Sequence, residues 1–225
     1  MRIASAAPSP DRRSLRCTSL YERRARRQGF TLVAGLDEAG RGCLFGDVYA
    51  AAVILPERHA IRGLNDSKQL EPAGRERLAV AIREAAITWS VATATAEEID
   101  RINIYQASRL AMKRALGALT VQPEFLLVDA LKLDSLIPQL GLVHGDALSF
   151  SIAAASILAK TERDHAMEEW HERYPRYGLA RHKGYGTPEH LRALAEHGPT
   201  PYHRMSYAPV RRLASAPDIT QEALW

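Results

Sequence analysis

A chain of 225 residues with 46% apolar and 25% charged side chains is long enough to bury one large core, and this ordinary composition excludes a fibrous or wholly disordered protein. A formal charge of +4 and a pI near 9.2 allow a polyanionic partner without demanding one. Two cysteines, Cys17 and Cys43, are too few for a disulfide framework and point to a cytoplasmic setting, and no apolar run reaches the ~18 residues of a membrane helix.

Residues 1–28 are rich in arginine and serine, with Asp11 and Glu22 as their acids, and they lack the apolar stretch of a secretory signal. A transit peptide shares this bias. The simpler reading is a disordered start to about Arg16 and then a basic helix over Ser19–Gln28. Thr31–Asp37 predicts a strand apolar on both faces, and Val48–Leu55 a second. So short a connection favours an antiparallel pair, because a parallel crossover needs a dozen or more residues. Gly63–Gln69 is a polar loop, Pro72 opens a helix through Arg83, and Ile87–Ala94 reads as a third strand. Glu97–Leu119 is a long amphipathic helix, Phe125–Asp129 and Leu142–Gly145 are short strands, and Ser151–Tyr174 is a helix. From Pro175 onward short helices and loops are expected. The alternation gives an α/β domain over residues 29–212, a mixed sheet flanked by helices with a small carboxy-terminal helical extension, and then a tail, 213–225.

Asp37, Glu38, Asp129 and Asp146 each stand where an apolar strand or turn runs out. Sites in open α/β sheets form beyond the carboxyl ends of strands, so parallel neighbours would bring Asp37 beside Asp129. Four carboxylates at close quarters raise one another's pKa, and two divalent cations would relieve the conflict. Oxygen-only ligation suits Mg²⁺ or Mn²⁺, and a pair of such ions suits in-line phosphodiester displacement. Taken singly, each acid reads more readily as a cap, a turn former or a surface acid. The adjacent pair Asp37 and Glu38 would face opposite sides of a strand, so the strand is expected to end there, with Gly40 as the break. The glycine turn Gly40–Gly46 is no dinucleotide fingerprint, because a strand rather than a helix follows it, and no P-loop occurs.

Eight blocks in order resemble the ribonuclease HII family: Gly35–Gly42, Asn65–Leu70, Leu127–Asp129, Gly145–Asp146, Ala153–Lys160, Arg181–Thr187, Pro201–Arg204 and Ser206–Pro209. The resemblance implies a ribonuclease H-like fold with a mixed five-stranded sheet. It implies hydrolysis of the RNA strand of RNA–DNA hybrids, and repair nicking of duplex DNA 5′ to an embedded ribonucleotide, leaving 3′-hydroxyl and 5′-phosphate ends. In such a family Asp37, Glu38, Asp129 and Asp146 would be the catalytic metal ligands, in a two-metal mechanism with Mn²⁺ or Mg²⁺. Asp164 would be structural. Gly40, Arg41 and Gly42 would hold the ribonucleotide through its 2′-hydroxyl and nearby phosphates, Tyr185 would stack on the next sugar, and Lys68, His182 and Lys183 would meet the substrate backbone. The rival readings keep the fold for a DNA nuclease, or make the chain a non-catalytic nucleic-acid-binding module.

Phe45 and Asp47 stand where the family has a small residue and a proline, and Asp47 is expected to face solvent; Ala130 replaces a glycine. Gln221–Trp225 resembles short peptides that dock on DNA sliding clamps. A monomer without membrane attachment completes the expectation.

Overall fold

In the computed structural model the described residues are 15–64, 67 and 70–214. Strands β1 (Val33–Ala39), β2 (Val48–Ile54), β3 (Thr88–Ala94), β4 (Phe125–Asp129) and β5 (Gln139–Leu142) form one sheet in the order β3-β2-β1-β4-β5. β1 runs antiparallel to β2 and parallel to β4, so it is central, as its two apolar faces require. Helices α1 (Leu20–Arg27), α2 (Pro72–Ala85), α3 (Ala96–Gly117) and α4 (Phe150–Arg173) flank the sheet, and α5 (Leu179–His182), α6 (Pro188–His197) and α7 (Ala208–Ala214) form the carboxy-terminal extension.

Side-chain alternation divides the core. Ala34, Leu36, Ala50, Ala52 and Ile54 pack with Ile99, Ala107, Ala111 and Met112 of α3, whereas Ala51 and Val53 pack on the opposite face with Ala79 and Ile82 of α2 and Ala154, Ile157 and Leu158 of α4. At Gly35 the backbone of α4 lies directly on β1: a Cβ there would fall 2.0 Å from the carbonyl carbon of Ser151. Ser149 caps α4, its Oγ accepting from Ile152 N at 3.2 Å. The buried carboxylate of Glu22, from α1, accepts from Ser149 Oγ (2.6 Å) and Ser151 N (2.8 Å). A negative charge at the positive end of a helix is favourable, so the basic amino-terminal helix is docked through its acid.

The elements depart from the sequence expectation in four places. β1 continues through Ala39, pairing Asp37 with Ala51 and Glu38 with Ala50, so the strand does not end at the acidic pair; the break comes at Gly40, with φ +96°. β5 ends at Leu142, and Gly145–Ala147 is a 3-10 turn. α3 is kinked at Asn103 (φ 67°), whose Oδ1 accepts from Gln106 N at 3.1 Å and restarts the helix. Asp47 is half-buried, its Oδ1 taking the N–H of Ala96 at 3.3 Å and its carboxyl raised by burial. The helix expected over Ser19–Gln28 is α1, and the disordered start expected before it falls largely outside the described residues. No helix among these residues is long and apolar enough to cross a membrane.

Candidate active site

The register Leu36↔Val128 puts the next residues, Asp37 of β1 and Asp129 of β4, at the same level of the sheet. The 3-10 turn that follows β5 supplies Asp146, which is buried, as is Asp37. Burial raises the Asp37 carboxyl well above the ordinary carboxylate range, and the charges of Glu38, Asp129 and Asp146 raise it further. A hydrogen bond from Ser156 on α4 opposes them. The four acids therefore meet in one electrostatic neighbourhood.

Each is turned to a donor of the protein. Asp37 Oδ1 accepts from Glu38 N (2.7 Å), Asp129 Oδ1 from Gly145 N (2.7 Å) and Asp146 Oδ1 from Ala147 N (3.0 Å), while Glu38 Oε1 takes the guanidinium of Arg41 at 3.2 Å. In this arrangement no three His, Cys, Asp or Glu side chains among the described residues stand in position to hold a metal ion. The chemistry of the set nonetheless suits one: all donors are oxygen, and their mutual repulsion is what a hard divalent cation relieves.

The glycine turn lies beside this cluster and is built on two buried arginines. A Cβ on Gly40 would fall 2.2 Å from Nε of Arg163, so only glycine fits there. Arg204 is fully buried and binds three carbonyls of the turn, those of Gly46 (2.8 Å), Arg41 (3.0 Å) and Asp47 (3.1 Å). Its three nitrogens each take a different carbonyl, a spread that the single nitrogen of a lysine does not match. The loop after α5 closes over the turn: Cys43 bridges Tyr185, Leu44 N donates to Gly184 O at 2.8 Å, and Cε1 of Tyr185 stands 3.9 Å from where a Gly42 Cβ would be. Tyr185 is 41% exposed as a residue, with Arg163 Cζ 5.8 Å and Lys160 Nζ 5.9 Å from its ring centroid.

Of the residues singled out in the sequence, Asp37, Glu38, Asp129 and Asp146 come together, and Gly40, Arg41, Gly42 and Tyr185 form a second group beside them. His182 and Lys183 are engaged internally. His182 Nε2 bonds Tyr177 O at 2.6 Å, and Lys183 Nζ donates to Glu168 at 2.7 Å and to Asp164 O at 3.3 Å. Lys68 and Gln221–Trp225 lie outside the described residues. Asp164 holds Arg75 at 2.9 Å and pairs with Lys160. Sequence reasoning missed Arg204, Arg163 and the serines. Ser67 Oγ meets Ser156 Oγ at 2.9 Å and Arg75 holds Ser67 O at 3.1 Å, so a polar chain runs from Asp37 to Asp164. The only sequence signal for Arg204 is its place in the block Pro201–Arg204.

The sequence pattern of the ribonuclease HII family matches residues 34–210. A ribonuclease HII of Solibacter usitatus (strain Ellin6076) is 56% identical over 204 residues, covering 91% of this chain and 90% of that protein. Among solved structures, ribonuclease H2 of Pyrococcus horikoshii OT3 superposes with a TM-score of 0.70 at 26% identity, over 81% of this chain and 96% of that one. The ribonuclease HII of Archaeoglobus fulgidus, solved as a complex with PCNA, gives 0.66 at 25% identity, over 82% and 98%. The mixed five-stranded sheet and its helices thus have the architecture of these ribonucleases.

Proposed function

The chain belongs to the ribonuclease HII family, a type HII ribonuclease H acting on RNA–DNA hybrids, and from that premise we propose a metal-dependent endoribonuclease that also nicks duplex DNA 5′ to an embedded ribonucleotide. The products carry 3′-hydroxyl and 5′-phosphate ends. Asp37, Glu38, Asp129 and Asp146 hold Mg²⁺ or Mn²⁺, two ions in all. When bound, the ions supply Lewis acidity to the phosphodiester and lower the pKa of the attacking water. The observation that carries this reading is the convergence of Asp37 on β1, Asp129 on the parallel strand β4 and buried Asp146 from the turn after β5, with Glu38 next in the chain to Asp37. A non-catalytic nucleic-acid-binding module gains nothing from such a cluster, which repels phosphate unless cations intervene.

Gly40, Arg41 and Gly42 receive the ribonucleotide, and the 2′-hydroxyl is the group that separates it from a deoxynucleotide. The adjacency of Gly42 and Tyr185 supports this, since a ring at that spot can cover the next sugar. Lys68, His182 and Lys183 meet the backbone phosphates, the last two by exchanging internal partners. The enzyme works as a cytoplasmic monomer, in keeping with its free Cys17 and Cys43.

The test is a DNA duplex carrying one ribonucleotide, incubated with the protein or with Asp37→Asn or Asp129→Asn in Mg²⁺, Mn²⁺ or EDTA. A nick at the ribonucleotide that needs both metal and carboxylates is expected; no metal-dependent nick by the parent protein overturns the reading.

The PCNA complex of the archaeal relative favours a second proposal, that Gln221–Trp225 docks on a DNA sliding clamp. Pull-down with a clamp should fall when the chain is shortened to end at Asp218, and equal capture by both chains sinks it.

A further inference from the structure

His190 and His203 are fully enclosed, and the acids of the proposed mechanism make no use of them. Their hydrogen bonds fix where each proton sits. Thr200 N donates to Nδ1 of His203 at 2.9 Å. An amide can only donate, so this Nδ1 is bare and the ring proton is on Nε2. That nitrogen stands 3.1 Å from Nε2 of His190. Nδ1 of His190 is 2.9 Å from the carbonyl oxygen of Tyr185, which can only accept, so His190 carries its proton on Nδ1 and leaves Nε2 bare. The two assignments agree at the shared contact, where His203 donates and His190 accepts.

Burial holds both imidazoles neutral, lowering His190 to about 4 and His203 to about 3. A neutral ring has one donor and one acceptor, and here all four are used. The chain of bonds runs in one direction, from Thr200 N–H through His203 and His190 to the Tyr185 carbonyl. At its end point the Tyr185 carbonyl also accepts from Thr187 N at 2.8 Å, and the two residues before it are left-handed, Lys183 at φ 49° and Gly184 at φ 79°. A non-glycine residue there is held against its preference. Leucine or phenylalanine would fill the same volume but could not pass the bond along.

We propose that His203 and His190 are positioning residues, a relay of fixed tautomers that anchors the Tyr185 carbonyl and so keeps the Tyr185 ring beside Gly42. The proposal rests on Tyr185 as the residue that covers the sugar. It adds that selection of the ribonucleotide site depends on two buried rings behind Tyr185.

The readout is the ratio of kcat/KM for a duplex with one ribonucleotide to kcat/KM for a uniform RNA–DNA hybrid. His190→Leu should lower this ratio roughly tenfold, as Tyr185→Ala should. His190→Asn, which restores a donor near Nδ1, should stay near the parent, and melting curves check that each variant folds. If Tyr185→Ala lowers the ratio and His190→Leu does not, the relay is overturned and the role of Tyr185 survives. If Tyr185→Ala leaves the ratio unchanged, the role of Tyr185 fails, and with it the relay's link to selection. Long-range ¹H–¹⁵N spectra of the parent protein at neutral pH test the relay without any variant. A proton on Nδ1 of His190 and on Nε2 of His203 is expected, and either ring in the other tautomer overturns it.

Discussion

Two clusters of titratable groups lie near the glycine turn, one partly and one fully buried, and they handle charge in opposite ways. At the strand ends Asp37, Glu38, Asp129 and Asp146 gather like charges, and the Asp37 carboxyl is raised by its burial and then by these neighbours. Beneath the Tyr185 loop His190 and His203 are neutral, with every ring nitrogen bonded. In the proposed reading the first cluster gains by taking up cations, which relieve the repulsion among its acids. The second is complete as it stands, and adding a proton would set two donors face to face. Chemistry is placed where the protein leaves a deficit, and shape where it leaves none.

The sharpest way to break this contrast is at the acids. Asp129→Asn should lower nicking at least ~10³-fold, roughly 4 kcal/mol of barrier, in a steady-state cleavage assay. Asp37→Asn should be as inactive, yet it relieves the crowding and should raise the metal-free melting temperature by about 2–4 °C, the effect of ~1 kcal/mol in a domain of this size. Arg204→Ala opens the carbonyls of Arg41, Gly46 and Asp47 and should cost about 3 kcal/mol in denaturant unfolding, with Arg204→Lys recovering little of it.

On the histidine side the test is pH. Both rings bind protons more readily in the unfolded chain than in the folded one. Stability should hold above about pH 6.5 and fall as pH drops toward 4, and His203→Gln should flatten that fall in melts taken across the range. The smallest effect belongs to Ala130, held at φ 49°. Ala130→Gly should stabilise the fold by about 0.5–1 kcal/mol, read as a shift in urea midpoint.

The acids were legible in the sequence because each ends an apolar run, and the central place of β1 followed from its two apolar faces. The left-handed turn at Ala130 accounts for the glycine preferred there. Much else depended on contacts distant in sequence. Glu22, one acid among arginines, looks solvated until the amino terminus of α4 is placed against it. The kink at Asn103 hides inside a good helical pattern, and β5 is a four-residue strand containing Gly141, too short for periodicity to locate. Tyr185 meets Gly42 only because the extension folds back. Isolated histidines such as His190 and His203 carry no periodic signal.

Helix α4 serves the acids and the glycine turn from one stripe. Ser156, Lys160, Arg163 and Met167 lie within about 60° of one another around its axis. In that order they meet Asp37, the Tyr185 ring, Gly40 with the same ring, and Gly46. From Ser156 to Arg163 is two turns, about 10 Å of rise. The helix is therefore a ruler with two marks, one under the acids and one under the glycine turn proposed to receive the sugar. One residue inserted between the marks would rotate the second by about 100° and uncouple where the enzyme cuts from what it senses. On the proposed mechanism, the offset between ribose and scissile phosphate is written in the pitch of a single helix.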